Sequence, residues 1–212
     1  MLFKSREDAG KKLGGELKKR GIKSDLILAI PRGGVPVGYE VAKILNAQLD
    51  IIIPRKLPLP SDPEAGFGAV IEDTAVLNEG LLRYFNLSKK GVELIIGEVK
   101  NEIKRRAQIY RGKKPFPRLK GKKVVVVDDG LASGYTMLAA LQYLEKKGAA
   151  VTIAIPVSSS SAFALLDSKK VIALHVSDSA MFAVANFYEE WRDLNDNEVI
   201  AYLNKAAKRE KK

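Results

Sequence analysis

The feature that most constrains the fold of this chain is the stretch from residue 124 to residue 136, where four valines precede two aspartates and a loop of small residues. Four β-branched residues in succession predict a strand buried on both faces, as the central strands of parallel sheets are. The strand ends at Asp128 and Asp129, and an apolar pattern at helical spacing begins at Tyr135. This order predicts a polar crevice at the carboxyl edge of a sheet, where open α/β sheets bind ligands.

Apolar runs typical of strands alternate with helical patterns along most of the 212 residues. The alternation favours a single α/β domain, residues 1–212, built on a doubly wound parallel sheet. Strands of this sheet are predicted at residues 25–30, 49–53, 124–127, 151–155 and 171–176. Helices are predicted at residues 6–20, from Pro36, at 79–85, from Ser88, from Tyr135, at 161–166 and from Asp196. The terminal segments 1–24 and 177–212 are expected to contribute a small cap or hood.

Residues 55–66 hold three prolines among polar residues and show no periodicity. This composition predicts an exposed loop, and its length favours a functional loop over a simple connection. The next two apolar runs, 67–71 and 74–77, predict a hairpin that turns at Glu72 and Asp73.

Composition excludes several kinds of site. The chain has no cysteine, so disulfides, thiolate catalysis and cysteine zinc sites are ruled out. A single histidine, His175, cannot form a metal site alone and is interpreted as a structural residue. The sequence shows neither a signal-like segment nor an apolar run long enough to cross a bilayer, so we expect a cytoplasmic protein without a membrane partner.

The formal net charge of +11 is concentrated in two segments. Residues 98–114 carry a net charge of +5 and residues 205–212 a net charge of +4, which leaves 24 basic and 22 acidic residues elsewhere. Such clusters are usually solvated surface. The alternative is an electropositive surface that attracts phosphorylated metabolites or RNA.

The loop after the acids has the composition of a phosphate-binding site. Backbone N–H groups of residues 132–136 would converge at a helix N-terminus, where unsatisfied donors and the helix dipole favour an anion. Gly134 permits a positive φ angle, and Ser133 and Thr136 can add hydroxyl donors. The loop matches neither the Walker A pattern nor Gly-x-Gly-x-x-Gly, which disfavours nucleoside triphosphatase and dinucleotide-binding functions.

The two adjacent carboxylates can accept hydrogen bonds from a vicinal diol and can stabilise a nearby cation. Alone, such a pair would more often be solvated. Beside a phosphate-binding loop, the pair predicts a ligand with a diol and a phosphate at fixed separation, as in ribose 5-phosphate.

Residues 124–136 resemble the signature with which type I phosphoribosyltransferases bind phosphoribosyl diphosphate (PRPP): an apolar strand, two acids, three residues, then Thr/Ser-Gly-x-Thr/Ser. Further segments in the same order resemble a stand-alone bacterial and archaeal group of this family, namely residues 30–38, 55–57, 67–70 and 182–188. This resemblance covers nearly the whole chain and implies the doubly wound fold already predicted.

The resemblance also implies a role for individual residues. Asp128 and Asp129 match the acids that hold the ribose hydroxyls, and with Arg32 and Lys56 they would form the catalytic set. The match to the 5-phosphate loop comprises Ala132, Ser133, Gly134, Tyr135 and Thr136. The match to the diphosphate-binding residues comprises Arg32, Gly33, Gly34, Arg55 and Lys56. Mg²⁺ is the implied cofactor and would be held mainly by PRPP, with Asp128 and Asp129 as candidate ligands.

The implied reaction is transfer of the phosphoribosyl group of PRPP to a nitrogenous base, with release of pyrophosphate, as in nucleobase salvage. Ala132 stands where hypoxanthine and guanine enzymes have an aspartate that acts as a base, so the acceptor stays open. The alternative is a non-catalytic regulator that senses PRPP or a nucleotide and binds RNA. A phosphatase or hydrolase is disfavoured because no histidine or metal-ligand cluster accompanies the acids.

Two expectations concern partners and packing. We expect a homodimer that binds PRPP and a small-molecule base, with nucleic acid as the less favoured partner. Phe182, Phe187, Tyr188 and Trp191 form an aromatic stretch, which could stack on a planar base or, as is more common near a terminal helix, belong to a core or dimer contact.

Overall fold

The computed structural model of the protein describes residues 1–166 and 170–210, apart from the side chain of Glu64. In chain order its elements are α1 (Arg6–Lys19), β1 (Leu26–Ala29), α2 (Gly34–Leu45), β2 (Gln48–Ile51), β3 (Arg55–Leu59), β4 (Asp62–Ile71), β5 (Thr74–Leu77), α3 (Glu79–Tyr84), α4 (Lys89–Arg111), β6 (Lys123–Val127), α5 (Tyr135–Lys146), β7 (Ala150–Ser159), α6 (Ser160–Leu165), β8 (Val171–Ser177) and α7 (Asp196–Glu210).

The chain divides into two compact units. The first comprises Met1–Ile52, Pro117–Gly134 and Leu144–Lys212, and the second comprises Ile53–Phe116 and Tyr135–Tyr143. Both terminal segments that we expect to act as a cap, 1–24 and 177–212, fall in the first unit.

The first unit contains a parallel sheet of five strands in the order β2-β1-β6-β7-β8. The prediction of a doubly wound parallel sheet is confirmed. The valine strand β6 lies at its centre, where Val125 is in register with Ile27 on one side and Thr152 on the other. The side chains of β1 and of the four valines of β6 are buried on both faces of the sheet, as the unbroken apolar runs predict.

Helix α1 is the predicted helix with three glycines, and two of them allow it to approach α2 closely. A Cβ atom on Gly10 would lie 2.7 Å from the carbonyl oxygen of Val37, and one on Gly14 would lie 2.8 Å from Cδ1 of Ile44. Larger residues would separate the helices, so these two glycines serve the packing of α1 against α2. Helix α2 begins at Gly34, two residues before the predicted start at Pro36.

The second unit contains an antiparallel sheet in the order β3-β4-β5. The prediction of an exposed loop over residues 55–66 is wrong, because β3 and the start of β4 occupy this segment. Pro58 is tolerated because β3 is an edge strand whose register shifts there, Pro60 lies in the turn, and Pro63 lies in a part of β4 that has no register partner in β3 or β5. The hairpin between β4 and β5 turns at Glu72 and Asp73, as predicted.

Helix α4 carries the first basic cluster and is capped as predicted, since the Ser88 hydroxyl accepts a hydrogen bond from the backbone N–H of Gly91 at 3.1 Å. Part of its charge is neutralised within the helix. Glu102 accepts hydrogen bonds from Arg105 and Arg106 at 2.7–2.9 Å. These contacts support the interpretation of this cluster as solvated helix surface.

The second basic cluster, at the end of α7, contributes to the fold through Arg209. The guanidinium of Arg209 donates to the carbonyl oxygens of Ala42 at 2.9 Å and Ala47 at 2.6 Å. These contacts satisfy carbonyl groups at the C-terminus of α2, where a positive charge also complements the helix dipole. Among the described residues, no helix combines the length and apolarity that crossing a membrane requires.

Candidate functional site

The central strands β1 and β6 bring two predicted site segments to one edge of the sheet. Ala29, the last residue of β1, is in register with Val127, the last residue of β6. The chain then continues from β1 into the β1–α2 loop, which is taken as residues 30–34 and so includes the first residue of α2, and from β6 into the acid pair, Asp128 and Asp129. The backbone N–H of Ile30 donates to the carbonyl oxygen of Val127 at 2.9 Å, which fixes the start of this loop against the end of β6.

The β1–α2 loop touches the acid pair through its glycines. A Cβ atom on Gly33 would lie 1.9 Å from Oδ2 of Asp129, and one on Gly34 would lie 2.9 Å from Cα of Asp128. The φ angle of Gly33 is −60°, so glycine is required here for close approach. The structure therefore brings together Gly33, Gly34, Asp128 and Asp129, as the sequence predicts.

Arg32 belongs to the same loop, and its peptide bond to Pro31 is cis. Its Nη1 lies 3.9 Å from Oδ1 of Asp196, the first residue of α7, and both side chains are 36% exposed. An ion pair this long and exposed contributes little to stability. Arg32 directly precedes Gly33, which lies against Asp129. The contact of Arg32 with a diphosphate stays a prediction.

Arg6, in the first turn of α1, is a site residue that the sequence analysis missed. Its Nε donates to Oδ2 of Asp129 at 2.8 Å, and its Nη1 donates to the carbonyl oxygen of Arg192 at 2.8 Å. The guanidinium carbon lies 3.9 Å from the centre of the Trp191 ring. Only 8% of the Arg6 side chain and 14% of the Asp129 side chain are exposed, so this is a largely buried ion pair.

Tyr188 holds the backbone of the acid pair from the aromatic stretch. Its hydroxyl donates to the carbonyl oxygen of Asp129 at 2.6 Å, and its ring packs 5.4 Å from that of Phe3. Burial raises the pKa of the Tyr188 hydroxyl, so it stays protonated and able to donate at neutral pH. The packing interpretation of the aromatic stretch is supported, since Phe182 and Phe187 also lie against this core cluster.

Replacing Tyr188 with phenylalanine is expected to lower the free energy of unfolding by about 1–2 kcal/mol, because the carbonyl group of Asp129 loses its buried donor. Urea unfolding of the variant measures this loss. Tyr84→Phe is the matched control, because Tyr84 is 81% exposed. Equal stability of Tyr188→Phe and the wild type would contradict the role of this hydrogen bond.

Burial gives the acid pair unusual protonation behaviour. It raises the pKa of the Asp128 carboxyl well above its usual range, and the charge of Asp129 raises it further. Burial also raises the pKa of Asp129, although the adjacent Arg6 opposes this effect. Oδ1 of Asp128 accepts a hydrogen bond from the backbone N–H of Asp129 at 2.8 Å. The pair therefore retains a proton more strongly than two separate carboxyl groups would, and a cationic ligand would favour its ionised form.

The phosphate loop, residues 132–136, is anchored to β7. Leu131 exchanges backbone hydrogen bonds with Val157 and Ser159 at 3.0 and 2.9 Å, and the Ser159 hydroxyl donates to the carbonyl oxygen of Ala132 at 2.7 Å. Gly134 has a φ angle of 78°, which confirms the predicted need for glycine. Ala132 and Ser133 are exposed, and Tyr135 and Thr136 begin α5. Ser159 was not predicted, since serine is common beside helices and gives no specific signal.

Arg55 and Lys56, the other predicted diphosphate ligands, lie on β3 in the second unit. Arg55 is in register with Val70 and Lys56 with Ala69 on β4. Arg55 is half-buried, whereas Lys56 is exposed. Their predicted contact with a diphosphate stays a prediction.

A cavity of about 340 Å³ adjoins Arg6, the ion-pair partner of Asp129, and is lined by residues 5–7, Pro36 and residues of the segment after Tyr188, among them Trp191. In the part of the chain that the structure describes, no three or more His, Asp or Glu side chains converge as a metal site would require. The acid pair by itself offers oxygen ligands of the kind that Mg²⁺ prefers.

Comparison with known proteins identifies the family. A family model described as the phosphoribosyl transferase domain matches residues 4–185. Two curated relatives from strains of Mycobacterium tuberculosis, each provisionally named a phosphoribosyl transferase, are 37% identical over 209 residues. These alignments cover 97% of this chain but 47% of each relative, so the chain spans about half the length of the curated relatives it matches.

A solved structure is similar along nearly the entire chain. The crystal structure of the protein TT1426 from Thermus thermophilus shares 36% identity and a TM-score of 0.80, and the match covers 97% of this chain and 99% of that one. The family model and these relatives match the chain far beyond the acid pair and its loop. The chain therefore belongs to the family of phosphoribosyl transferase domains.

Proposed function

We propose that the protein binds PRPP with Mg²⁺ and transfers its phosphoribosyl group to a nitrogen atom of a base, with release of pyrophosphate. The observation that carries this proposal is the contact between the acid pair and the β1–α2 loop, where Oδ2 of Asp129 would lie 1.9 Å from a Cβ atom on Gly33. The absence of a side chain at Gly33 therefore leaves room for the carboxylate of Asp129, which would accept hydrogen bonds from the diol beside the β1–α2 loop. Membership in the phosphoribosyl transferase family supports the same ligand.

In this reaction the bond between C1 of the ribose and the diphosphate oxygen breaks, and its electron pair leaves with the diphosphate. The acceptor nitrogen supplies the electron pair of the new C1–N bond, and the acceptor then releases a proton. Positive charge develops on the ribose ring during this exchange. Asp128 and Asp129 hold the hydroxyls and stabilise that charge, because their carboxyl groups are fixed by Arg6 and by the backbone N–H of Asp129 before the reaction starts.

The phosphate loop would hold the 5-phosphate through backbone N–H groups at the start of α5, which is a helix of 12 residues. Arg32 and the N–H groups of the β1–α2 loop would bind the diphosphate. When bound, Mg²⁺ would neutralise charge on the leaving diphosphate. Asp128 and Asp129 fit such an ion as oxygen ligands, with PRPP and water supplying the remaining ligands.

The test is pyrophosphate release from Mg-PRPP across a panel of purine and pyrimidine bases, with PRPP binding measured in parallel. We expect turnover with at least one base, and loss of binding and turnover in the variant Asp128→Asn/Asp129→Asn. Glu98→Gln, an exposed acid on α4, is the matched control. Binding without turnover on any base would contradict the transferase and leave a PRPP-sensing regulator, while absence of PRPP binding would contradict both.

A further inference from the structure

We infer that Arg6 is a positioning residue that fixes the carboxylate of Asp129, so that its second oxygen, Oδ1, is presented to a ribose hydroxyl. This inference rests on the proposed function and adds a residue from outside the segments that resemble known site motifs. Arg6 lies 123 positions before Asp129 in the chain, yet its Nε is 2.8 Å from Oδ2 of Asp129.

The guanidinium of Arg6 is restrained in three ways. Nε is committed to Asp129, Nη1 donates to the carbonyl oxygen of Arg192 at 2.8 Å, and the plane lies over Trp191 at 3.9 Å. Only arginine has a planar fork that can bond two acceptors while stacking on a ring. With 8% of its side chain exposed, Arg6 has little freedom to leave this position.

The carboxylate of Asp129 is restrained on its other sides as well. The backbone of Gly33 lies so close that a Cβ atom there would be 1.9 Å from Oδ2 and 3.1 Å from Oδ1. The Tyr188 hydroxyl holds the carbonyl oxygen of Asp129 at 2.6 Å. Oδ2 accepts from Arg6 and also lies against the backbone of Gly33, which leaves little room for a further donor, so contact with a hydroxyl of the ligand falls to Oδ1. Arg6 thus determines which carboxylate oxygen faces the ligand.

Trp191 makes this arrangement observable. It is the only tryptophan in the chain, it stacks on Arg6, and it lines the cavity that Arg6 also lines. A ligand that takes up Oδ1 of Asp129 changes the charge next to Arg6, and Arg6 lies directly on the indole ring. PRPP binding should therefore change the Trp191 fluorescence through Arg6.

The experiment measures Mg-PRPP affinity by calorimetry and Trp191 emission in the wild type, Arg6→Met and Arg6→Lys. We expect Arg6→Met to bind roughly 10- to 100-fold more weakly, as is usual when a residue that orients a ligating group is lost. The PRPP-induced change in emission should disappear in Arg6→Met. Arg6→Lys should recover part of the affinity, because lysine can restore the ion pair but not the second hydrogen bond. Arg20→Met, at the exposed end of the same helix, should bind like the wild type.

A double-mutant cycle separates positioning from a general structural effect. If Arg6 acts through Asp129, Arg6→Met should not lower the Mg-PRPP affinity any further in a protein that already carries Asp129→Asn. If Arg6 has a general structural role, Arg6→Met should lower the affinity by the same factor with and without Asp129→Asn. Affinity of folded Arg6→Met within about twofold of the wild type, a range smaller than one ordinary hydrogen bond, would overturn this inference and leave the proposed function intact. If Arg6→Met does not fold, Arg6→Lys decides. The inference is overturned if Arg6→Lys binds Mg-PRPP with wild-type affinity, shows the wild-type change in emission, and has an effect that simply adds to that of Asp129→Asn. Failure of the wild type to bind PRPP would overturn both.

Discussion

Replacing Gly33 with alanine is expected to weaken Mg-PRPP binding by at least about 100-fold, the largest effect that a single added methyl group should have in this protein. The new Cβ atom would lie 1.9 Å from Oδ2 and 2.6 Å from Cγ of Asp129, so the carboxylate must move. The Asp129 carboxylate is held by its hydrogen bond to Arg6, and its backbone is held at the end of β6. A small shift of the carboxylate therefore cannot make room for the methyl group. Calorimetric titration with Mg-PRPP measures the loss.

The backbone of Gly33 makes this prediction specific. Its φ angle of −60° suits alanine, so the substitution adds no backbone strain and its effect comes from the methyl group alone. Gly15→Ala in α1 is the matched control, because no atom lies within 4 Å of the added Cβ atom. That variant should gain about 0.5–1 kcal/mol in the free energy of unfolding without a change in PRPP affinity. Wild-type PRPP affinity in Gly33→Ala would show that the acid pair does not hold the ligand.

The central part of the site could be predicted because its signals are local. Four valines in succession are sufficient to predict β6, and the residues that follow a central parallel strand lie at the sheet edge where ligands bind. The requirement for glycine at position 134 likewise follows from a turn between strand and helix, and its φ angle of 78° confirms it. Local pattern and fold agree in this stretch, so the sequence alone predicted that the acid pair and residues 132–136 follow the central strand at the sheet edge.

The prediction of a loop over residues 55–66 was wrong because the local sequence pattern there is misleading. Its prolines suppress the alternation that indicates a strand, yet β3 and β4 pair across a turn at Pro60 and Ser61. Proline lacks only the N–H donor, and on an edge strand with a register shift that loss has little cost. Composition therefore indicated irregular backbone correctly but not the strand pairing that surrounds it.

Arg6 could not have been predicted from local pattern. It is the first residue of an amphipathic helix, where a basic side chain is normally solvated, and nothing near it in sequence indicates a carboxylate partner. The contact exists because α1, the segment around Trp191 and the end of β6 converge only in the folded chain. Resemblance to a family did not supply it either, since the resembling segments are residues 30–38, 55–57, 67–70, 124–136 and 182–188, and none of them contains Arg6. Such long-range contacts determine how the acids are oriented.

Replacing Asp128 with asparagine is expected to reduce the rate of phosphoribosyl transfer by roughly 100- to 1,000-fold or more. The same change is expected to raise the stability of the folded protein at neutral pH. The activity is lost because a neutral amide cannot stabilise the positive charge on the ribose. Stability rises because burial and the neighbouring Asp129 disfavour the ionised form of Asp128 in the folded state. Asparagine keeps an oxygen that can accept from the backbone N–H of Asp129, as Oδ1 does at 2.8 Å.

The pH dependence follows from the raised pKa of Asp128. The folded protein retains the proton of Asp128 more strongly than the unfolded chain, whose carboxyl has its ordinary pKa of 3.8. Wild-type stability therefore falls as pH rises from about 4 through the raised folded pKa, because unfolding is then coupled to proton release. The advantage of Asp128→Asn should be absent below about pH 4 and fully present above the folded pKa. Urea unfolding of both proteins across this range measures it.

The exposed acid Glu98 provides the matched comparison, since Glu98→Gln should leave this profile unchanged. A stability difference between Asp128→Asn and the wild type that is instead the same at every pH would contradict the raised pKa of Asp128 in the folded protein. Any loss of activity in Asp128→Asn would then need an explanation other than the charge of a buried carboxylate. If instead stability and activity move in opposite directions, the acid pair destabilises the fold in order to place negative charge at the ligand, as expected for a site preorganised for catalysis.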